Sequence, residues 1–224
     1  MQYEIKGGQF PVVICQLADG EKMITEKGSM VWMTPNFDME TQGGGIGKMF
    51  SKAFAGETMF QNIYTPRGAG MIAFGSSFPG KIIPLEIGPG KEMIIQKRAF
   101  LASTMGVQLS IAFNRKASTG LFSGEGFIMQ RLSGQGTAFV EIDGEVIQYR
   151  LEAGQQMVVD TGNVAAFEPS VSIDVQTVKG MKNKLLGGEG FFHTVLTGPG
   201  SIWLQTMPLT GLAAAIQPYI ITGN

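Results

Sequence analysis

The sequence is poor in the residues that build many enzyme sites. Its 224 residues include one cysteine, Cys15, and one histidine, His193. A single cysteine excludes an internal disulfide framework, and one histidine cannot supply a metal site that takes several. A catalytic Cys–His pair would have to join these two residues, and neither is flanked by a signature of such a pair. We therefore predict no catalytic, metal-binding or cofactor-binding residue and no cofactor, with Cys15 buried on a strand and His193 a structural strand residue.

Long apolar runs and an excess of charge are also missing. No run approaches the ~20 apolar residues that cross a bilayer, and the opening MQYEIKGGQF has no basic region followed by an apolar core, as a signal peptide has. The formal net charge is −1, which disfavours binding of nucleic acid through a basic surface. These absences predict a soluble cytoplasmic protein.

Glycine is abundant, with 32 residues placed between short apolar runs where tight turns need it. One glycine-rich stretch recurs. GEGFIMQRLSGQGTAFV begins at Gly124, and GEGFFHTVLTGPGSIWL begins at Gly188, an offset of 64. A weaker copy, GETMFQNIYTPRGAGMI, begins at Gly56 with an offset of 68. The chain is therefore predicted to be a triplication. Each copy is predicted to end with a Gly-x-Gly hairpin, as at Gly134–Gly136, and Asp143-Gly144 is predicted to form a further tight hairpin turn.

A second motif supports the triplication. Leu17-x-x-Gly20-x-x-Met23 recurs from Ile87 and from Leu151, again 64 residues apart for the last two copies. Short strands and frequent turns predict an all-β fold, and units of this size bury their apolar faces by stacking on one another. We predict one domain of three β-sandwich modules, about 1–83, 84–148 and 149–207, in a pseudo-threefold arrangement. A short helical tail, 208–224, follows them.

Three glutamates occupy the same place in the repeats: Glu57, Glu125 and Glu189. One interpretation is a ring of carboxylates that holds a cation or performs acid–base chemistry. The other is a structural carboxylate that accepts backbone N–H bonds at the turn that enters each strand. We favour the structural interpretation, because repetition in every module points to a need of the module itself.

The segments before these glutamates are basic and partly apolar. In the first repeat, Ile46 to Phe54 has the spacing of a short amphipathic helix after a glycine leader. If the modules are related by a threefold axis, the basic and apolar residues gather on one face, which suits an anionic membrane surface or a protein partner. The candidate residues are Lys48, Met49, Phe50, Lys52, Phe54, Arg115, Lys116, Lys182 and Lys184. A solvated face is the alternative.

The chain resembles a known family at three stretches: GGGIGKMFSKAFAGETMFQNIYTPRGAGMIAF, LEIGPGKEMIIQKRAFLAS and GEGFFHTVLTGPGSIWLQT. They are similar to the altered-inheritance-of-mitochondria (type 24) family of bacterial, archaeal and mitochondrial proteins. The resemblance implies a fold like that of the tryptophan attenuation protein, with β-sandwich or double-stranded β-helix modules triplicated into a pseudo-trimer and short connecting helices. It implies no established catalytic residues, and its mitochondrial members imply a role in membrane organisation.

Two functions remain open. The first is a non-enzymatic binding or scaffold protein that contacts a protein partner or a membrane through the basic and apolar face, and that can self-associate. The second is an enzyme or a binder of a small molecule or nucleotide, with a pocket between modules and polar groups from the repeated glutamates or the Gly43–Lys48 loop. The residue inventory favours the first function. RNA binding, which the analogy of fold would suggest, is not supported by the net charge of the chain.

Overall fold

The computed structural model describes residues 1–26, 28–42, 61–115, 127–177 and 192–220. These residues form strands β1 Gln2–Lys6, β2 Val12–Leu17, β3 Met23–Glu26, β4 Met30–Met33, β5 Phe37–Gln42, β6 Gln61–Pro66, β7 Gly70–Gly75, β8 Gly80–Ile87, β9 Met93–Gln96, β10 Phe100–Thr104, β11 Val107–Arg115, β12 Phe127–Gly134, β13 Gly136–Asp143, β14 Val146–Leu151, β15 Gln156–Asp160, β16 Val164–Phe167, β17 Ser172–Thr177, β18 Phe192–Thr197 and β19 Gly200–Gln205. The helices are the α-helix α1 Leu209–Ile216 and short 3-10 helices at Lys97–Ala99, Thr161–Asn163 and Gln217–Tyr219.

One pattern of strand pairing occurs three times. We name the six strand positions of a module A to F in chain order, so that β2, β8 and β14 occupy position A and β7, β13 and β19 occupy position F. In every module, A and C pair with F, and B and D pair with E, all antiparallel. The all-β prediction is confirmed, and the threefold arrangement of the modules stays a prediction.

Neighbouring modules share sheets. Strand B of the first module, β3, pairs with strand C of the second, β10, and β9 pairs in the same way with β16 of the third. The result is four sheets in chain order: sheet 1, β1-β2-β7-β4; sheet 2, β5-β6-β3-β10-β13-β8; sheet 3, β11-β12-β9-β16-β19-β14; and sheet 4, β15-β18-β17. Each of the two middle sheets is therefore half one module and half the next.

Three apolar cores lie along the chain of modules, and each contains residues of two neighbouring modules. The first core combines Val13 and Cys15 of the first module with Phe139 of the second. The second core combines Val140 of the second module with Ala166 of the third, and the third core is built around Ile202 and Leu196. Since a core of one module includes side chains from the next, a module is incomplete without its successor.

The glycine pairs at the start of strand F turn the chain from one sheet to another. Strands β12 and β13 lie in different sheets, so Gly134-Gln135-Gly136 is not the hairpin that the sequence predicts, and neither is Asp143-Gly144. Gly134 has φ +89, and a Cβ there would stand 2.3 Å from the carbonyl oxygen of Gly106. Only glycine permits this backbone conformation and this approach without strain.

The corner glycines also correct the alignment of the first repeat. Position A pairs with the first residue of F at Leu17–Gly70, Ile87–Gly136 and Leu151–Gly200. Gly70, and not Gly68, is thus the counterpart of Gly136, so the offset on strand F is 66. On strand E the predicted offset of 68 holds, because Tyr64 and Leu132 pair with the counterparts Met23 and Met93. The offset changes because the turn between β6 and β7 has three residues where the turn between β12 and β13 has one. Sequence spacing alone does not locate this insertion.

The two ends of the chain add elements that the modules do not repeat. Strand β1 extends sheet 1 beside β2, and its Tyr3 packs edge-on against Phe139 with ring centroids 4.9 Å apart. At the other end, Asp143 accepts a hydrogen bond from the N–H of Leu209, the first residue of α1. No helix in the described part of the chain has the length and apolar character of a transmembrane span.

Candidate interaction site at the ends of the module array

The first and last modules each leave one joining strand with a single neighbour. Joining requires strand B of one module and strand C of the next. Within the described residues, β4 (position C of the first module) pairs only with β7, and β15 (position B of the third) pairs only with β18. An edge strand presents unpaired N–H and C=O groups that can accept another strand.

Strand β4 has apolar side chains that are exposed, whereas the equivalent side chains of β10 are buried. The bulged residue of position C is Val31 in β4 and Leu101 in β10, as the register of each strand on F defines. Leu101 is 2% exposed, whereas Val31 is 53% exposed. The next residue, Trp32, is 42% exposed, and its counterpart Ala102 is buried. Val31 and Trp32 are thus of the kind that an internal junction buries, but here about half of each remains exposed.

Strand β15 shows the same contrast at the opposite end. The Gly-x-x-Met motif aligns Val158 with Ile94 of β9. Ile94 is 3% exposed and belongs to the third core, whereas Val158 is 63% exposed. On β14, which precedes β15 in the chain and lies in sheet 3, Ile147 and Tyr149 are exposed, although their first-module counterparts Val13 and Cys15 are fully buried. We call β4 with Val31 and Trp32 the head, and β15 with Val158, Ile147 and Tyr149 the tail.

The polar contacts of the internal junctions are built alike. After β7, the N–H of Ser77 donates to Oε2 of Glu141 at 2.7 Å. At the last residue of β13, the N–H of Asp143 donates to Oε1 of Gln205 at 3.2 Å. Glu141 and Gln205 are counterparts on strand F, so each module fastens its predecessor through a side chain at one position. The counterpart in the first module is Gly75, which has no side chain to make this contact.

Only one of these fastenings is ionisable. Burial raises the pKa of Glu141 above its ordinary value, against the lowering effect of the bonds donated by Ser77 and Ser76. The pKa of the nearby Asp143 is also raised by burial. Gln205 stays neutral, and its Nε2 donates to Gln96 Oε1 at 3.0 Å and to the carbonyl of Gly162 at 2.7 Å. The first junction thus has an ionisable carboxylate at the position where the second has a neutral amide.

The residues considered for nucleophilic chemistry lie apart. Cys15 is fully buried on β2 of sheet 1, and burial raises the pKa of its thiol to about 12, so the reactive thiolate is disfavoured. His193 lies on β18 of sheet 4, directly across from Asp160 and Gln176. Among the described residues, no group of three or more histidines, cysteines and carboxylates is placed to hold a metal ion.

A groove of about 540 Å³ lies beside β8, between the second and third modules. Leu85, Ile87 and Met93 give it an apolar wall, and Glu86, Lys91 and Glu168 give it polar rims. Two rim carboxylates already have partners, since Glu86 accepts from the Thr137 hydroxyl and Glu168 accepts from the N–H of Ser201. The groove can receive a small apolar group.

Most of the residues predicted as a site lie outside the described residues. Arg115 is the last residue of β11. The others are Lys48, Met49, Phe50, Lys52, Phe54, Lys116, Lys182 and Lys184, together with the repeated carboxylates Glu57, Glu125 and Glu189. The basic and apolar face, the helix at 46–54 and the role of these glutamates therefore stay predictions.

The head and the tail are not among the residues that the sequence predicts as a site, although the sequence at position C differs in the first repeat. At position C the repeats read MVWM, FLAS and VAAF. A tryptophan stands in the first copy at the place where the other two have alanine, which marks that copy as different. What could not be read from the sequence is that this strand is left at an edge.

Comparison with known proteins agrees with this architecture. The family described as "Mitochondrial biogenesis AIM24" matches residues 3–207, which is most of the chain. The chain belongs to this family. The resemblance inferred from the sequence motifs is thereby confirmed. The family description names no reaction, ligand or binding residue.

Two similar proteins come from Streptococcus pyogenes. An uncharacterized protein of the serotype M6 strain, M6_Spy0233, is 29% identical over 96% of this chain and 89% of its own length. The crystal structure of protein SPYM3_0169 aligns with a TM-score of 0.80 and 27% identity, covering 98% of this chain and 99% of the other. The fold is thus shared with an experimentally determined structure.

Proposed function

We propose that the protein is a non-enzymatic scaffold that binds protein partners at the head and the tail of its module array. The observation that carries this proposal is that β4 and β15 each pair with one strand among the described residues, although their counterparts at the internal junctions pair with two, and that both expose apolar side chains. Proteins commonly protect such edges with charge, proline or a covering segment. Within the described residues, β4 has the sequence MVWM, without charge or proline, and Val158 of β15 is 63% exposed.

Strand addition is the recognition mode that this surface fits. An added strand bonds to the main chain of an edge, and alternate side chains give specificity through neighbouring apolar surface. The head supplies Val31 and Trp32, and the tail supplies Ile147, Tyr149 and Val158. The residues with chemical reactivity argue against an enzyme, because Cys15 is buried with a raised pKa and lies in a different sheet from His193.

Photo-crosslinking at single positions tests the proposal. A photoreactive phenylalanine analogue replaces Trp32 or Val158 in the full chain, and the protein is irradiated in the cells that make it. The matched control places the analogue at Met105, which is 46% exposed and lies between β10 and β11, away from both ends. We expect protein adducts at positions 32 and 158 and few or none at position 105.

The identity of the adducts separates two outcomes. Adducts that contain any protein, whether this chain or another, support a scaffold role. Absence of adducts at both end positions, or equal adducts at position 105, would refute it.

Two further candidate functions follow from earlier observations. The basic and apolar residues stay a predicted contact for anionic membranes, tested by sedimentation with anionic and neutral vesicles; equal recovery with both counts against it.

The groove beside β8 is the observation that favours small-molecule binding. A thermal-shift screen of nucleotides, metals and phospholipids tests that alternative, and a true ligand of the groove should lose its shift in Lys91→Glu.

A further inference from the structure

We propose that the tail of one copy joins the head of a second copy, with the same strand pairing that joins modules within the chain. This inference rests on the proposed scaffold function and names its partner. The chain makes the joint twice, at β3–β10 and at β9–β16. The two strands that lack a joint are one B strand and one C strand, so each supplies what the other needs.

The internal joints fix the register of the new one. In the first, Ala102 lies opposite Thr25 and Ser103 opposite Ile24. In the second, Ala166 lies opposite Ile95 and Phe167 opposite Ile94. Transferred to the ends, the same register places Trp32 opposite Val159 and Met33 opposite Val158 of the other copy. A one-residue slip would turn every side chain to the wrong face, so the register is a specific expectation.

An aromatic side chain marks each joint. Strand F of the second module presents Phe139 directly across from Ala102, and strand F of the third presents Trp203 directly across from Ala166. In the first module the sizes are exchanged, because Trp32 on strand C lies across from Ala73 on strand F. Directly opposite residues share a face of the sheet. Every module thus carries one large ring and one alanine on the face that it turns toward its predecessor.

The internal rings show where Trp32 would go. Phe139 is fully buried in the first core, which belongs to the preceding module. Trp203 lines a small apolar cleft of the second core together with Ile83 and Leu85 of strand A. The counterparts of these two residues in the third module are Ile147 and Tyr149, which are exposed. Trp32 of a second copy would cover the third core there.

The joint between copies should be weaker than the joints within the chain. Glu141 and Gln205 fasten the internal junctions through the N–H groups of Ser77 and Asp143. The head has Gly75 at that position and cannot make the bond. In addition, the association of two copies costs translational freedom, whereas a joint between modules of one chain does not. We therefore expect reversible association that increases with protein concentration.

Complementary blocked variants test the arrangement directly. Trp32→Lys closes the head, Val158→Lys closes the tail, and Met105→Lys is the control at an exposed site outside both. Sedimentation equilibrium of the wild type and the control should show a mass that rises with concentration. Each blocked variant alone should stay monomeric, because a joint needs one head and one tail. An equal mixture of the two blocked variants should form a dimer and nothing larger, since it contains one open head and one open tail.

Several results would overturn the proposal. They are a wild type that is monomeric at every concentration, blocked variants that associate like the wild type, and a mixture of blocked variants that stays monomeric. Adducts of Trp32 or Val158 that contain only other proteins would also overturn it, although they would leave the scaffold function standing. Circular dichroism and thermal melting of each variant check that it is folded before its mass is interpreted.

An engineered disulfide tests the register of the joint. It also tests whether the head and the tail that meet belong to two copies or to one chain. Met33→Cys and Val158→Cys in one chain should form a disulfide on mild oxidation, because directly opposite strand residues satisfy its geometry. A covalent dimer or longer ladder supports the joint between copies. A monomer with an internal disulfide would show that the head and tail of one chain meet, and would overturn the proposal. Met33→Cys with Gln156→Cys, shifted by two residues, is the register control and should crosslink less.

Discussion

The internal junctions and the free ends are made from the same strand positions but differ in what covers them. Leu101 and Val31 are counterparts, and so are Ile94 and Val158, yet in each pair the first is buried and the second is more than half exposed. Composition does not explain the difference, since all four are aliphatic. The presence or absence of a neighbouring module does. Burial in a repeat protein is thus set by position in the array as much as by the residue.

The largest expected effect comes from replacing the aromatic residue at an internal joint and the one at the head by alanine. Phe139→Ala removes a fully buried ring from the first core and should lower the free energy of unfolding by about 3–5 kcal/mol. Trp32→Ala removes a larger ring, but 42% of it is exposed, so the loss should be no more than about 2 kcal/mol. Urea denaturation at low protein concentration measures both. Equal losses would mean that the head is covered within one chain.

A second effect separates the two internal junctions by pH. The pKa of Glu141 is raised in the folded state, so the folded protein holds this proton more tightly than the unfolded chain. Stability from this group is present at low pH and falls as the pH rises from the ordinary glutamate value through the raised value. Glu141→Gln, which copies Gln205, should remove that part of the decline. Asp143→Asn should remove a further part, because burial raises that pKa too.

The measurement is the free energy of unfolding across pH 4 to 8 for the wild type, the two single variants and the double variant. An unchanged slope in Glu141→Gln would show that the first junction is not the pH-dependent one.

The smallest effect is a spectroscopic one. The chain has two tryptophans, Trp32 and Trp203, so Trp203→Phe leaves Trp32 as the single reporter at the head. If a second copy covers Trp32, its fluorescence emission should move to shorter wavelength as concentration rises. Val158→Lys in the same background should abolish that movement, whereas Met105→Lys should not. A spectrum independent of concentration in all three would break the proposed equivalence of head and internal joint.

Much of the fold could be predicted from the sequence, because local patterns carry it. Most strands were located by β-branched apolar runs bounded by glycine, and the triplication by its two motifs. β1 and β5 were missed, although QYEIK and FDMETQ alternate apolar and polar residues as half-buried strands do. The predicted hairpins at Gly134–Gly136 and Asp143-Gly144 were wrong because a turn signal shows that the chain reverses, but not which sheet it enters.

The candidate site was less accessible to the sequence. Which strand lies at an edge depends on pairing between β3 and β10 and between β9 and β16, residues far apart in the chain. Composition drew attention instead to lysines and glutamates in the long segments between strands D and E, and those predictions lie outside the described residues. The exposed Trp32 and Val158 look in the sequence like ordinary core residues, and only the absence of a neighbour changes their meaning.

The sharing of sheets 2 and 3 has a consequence for how the molecule can be divided. A cut between any two modules would tear a six-stranded sheet into two halves and open a core on both sides, so no single module is a natural fragment for expression. Lengthening is different. A chain with a fourth module inserted in tandem would present the same head and tail as one with three. The number of modules can therefore change in this architecture without any change in the ends.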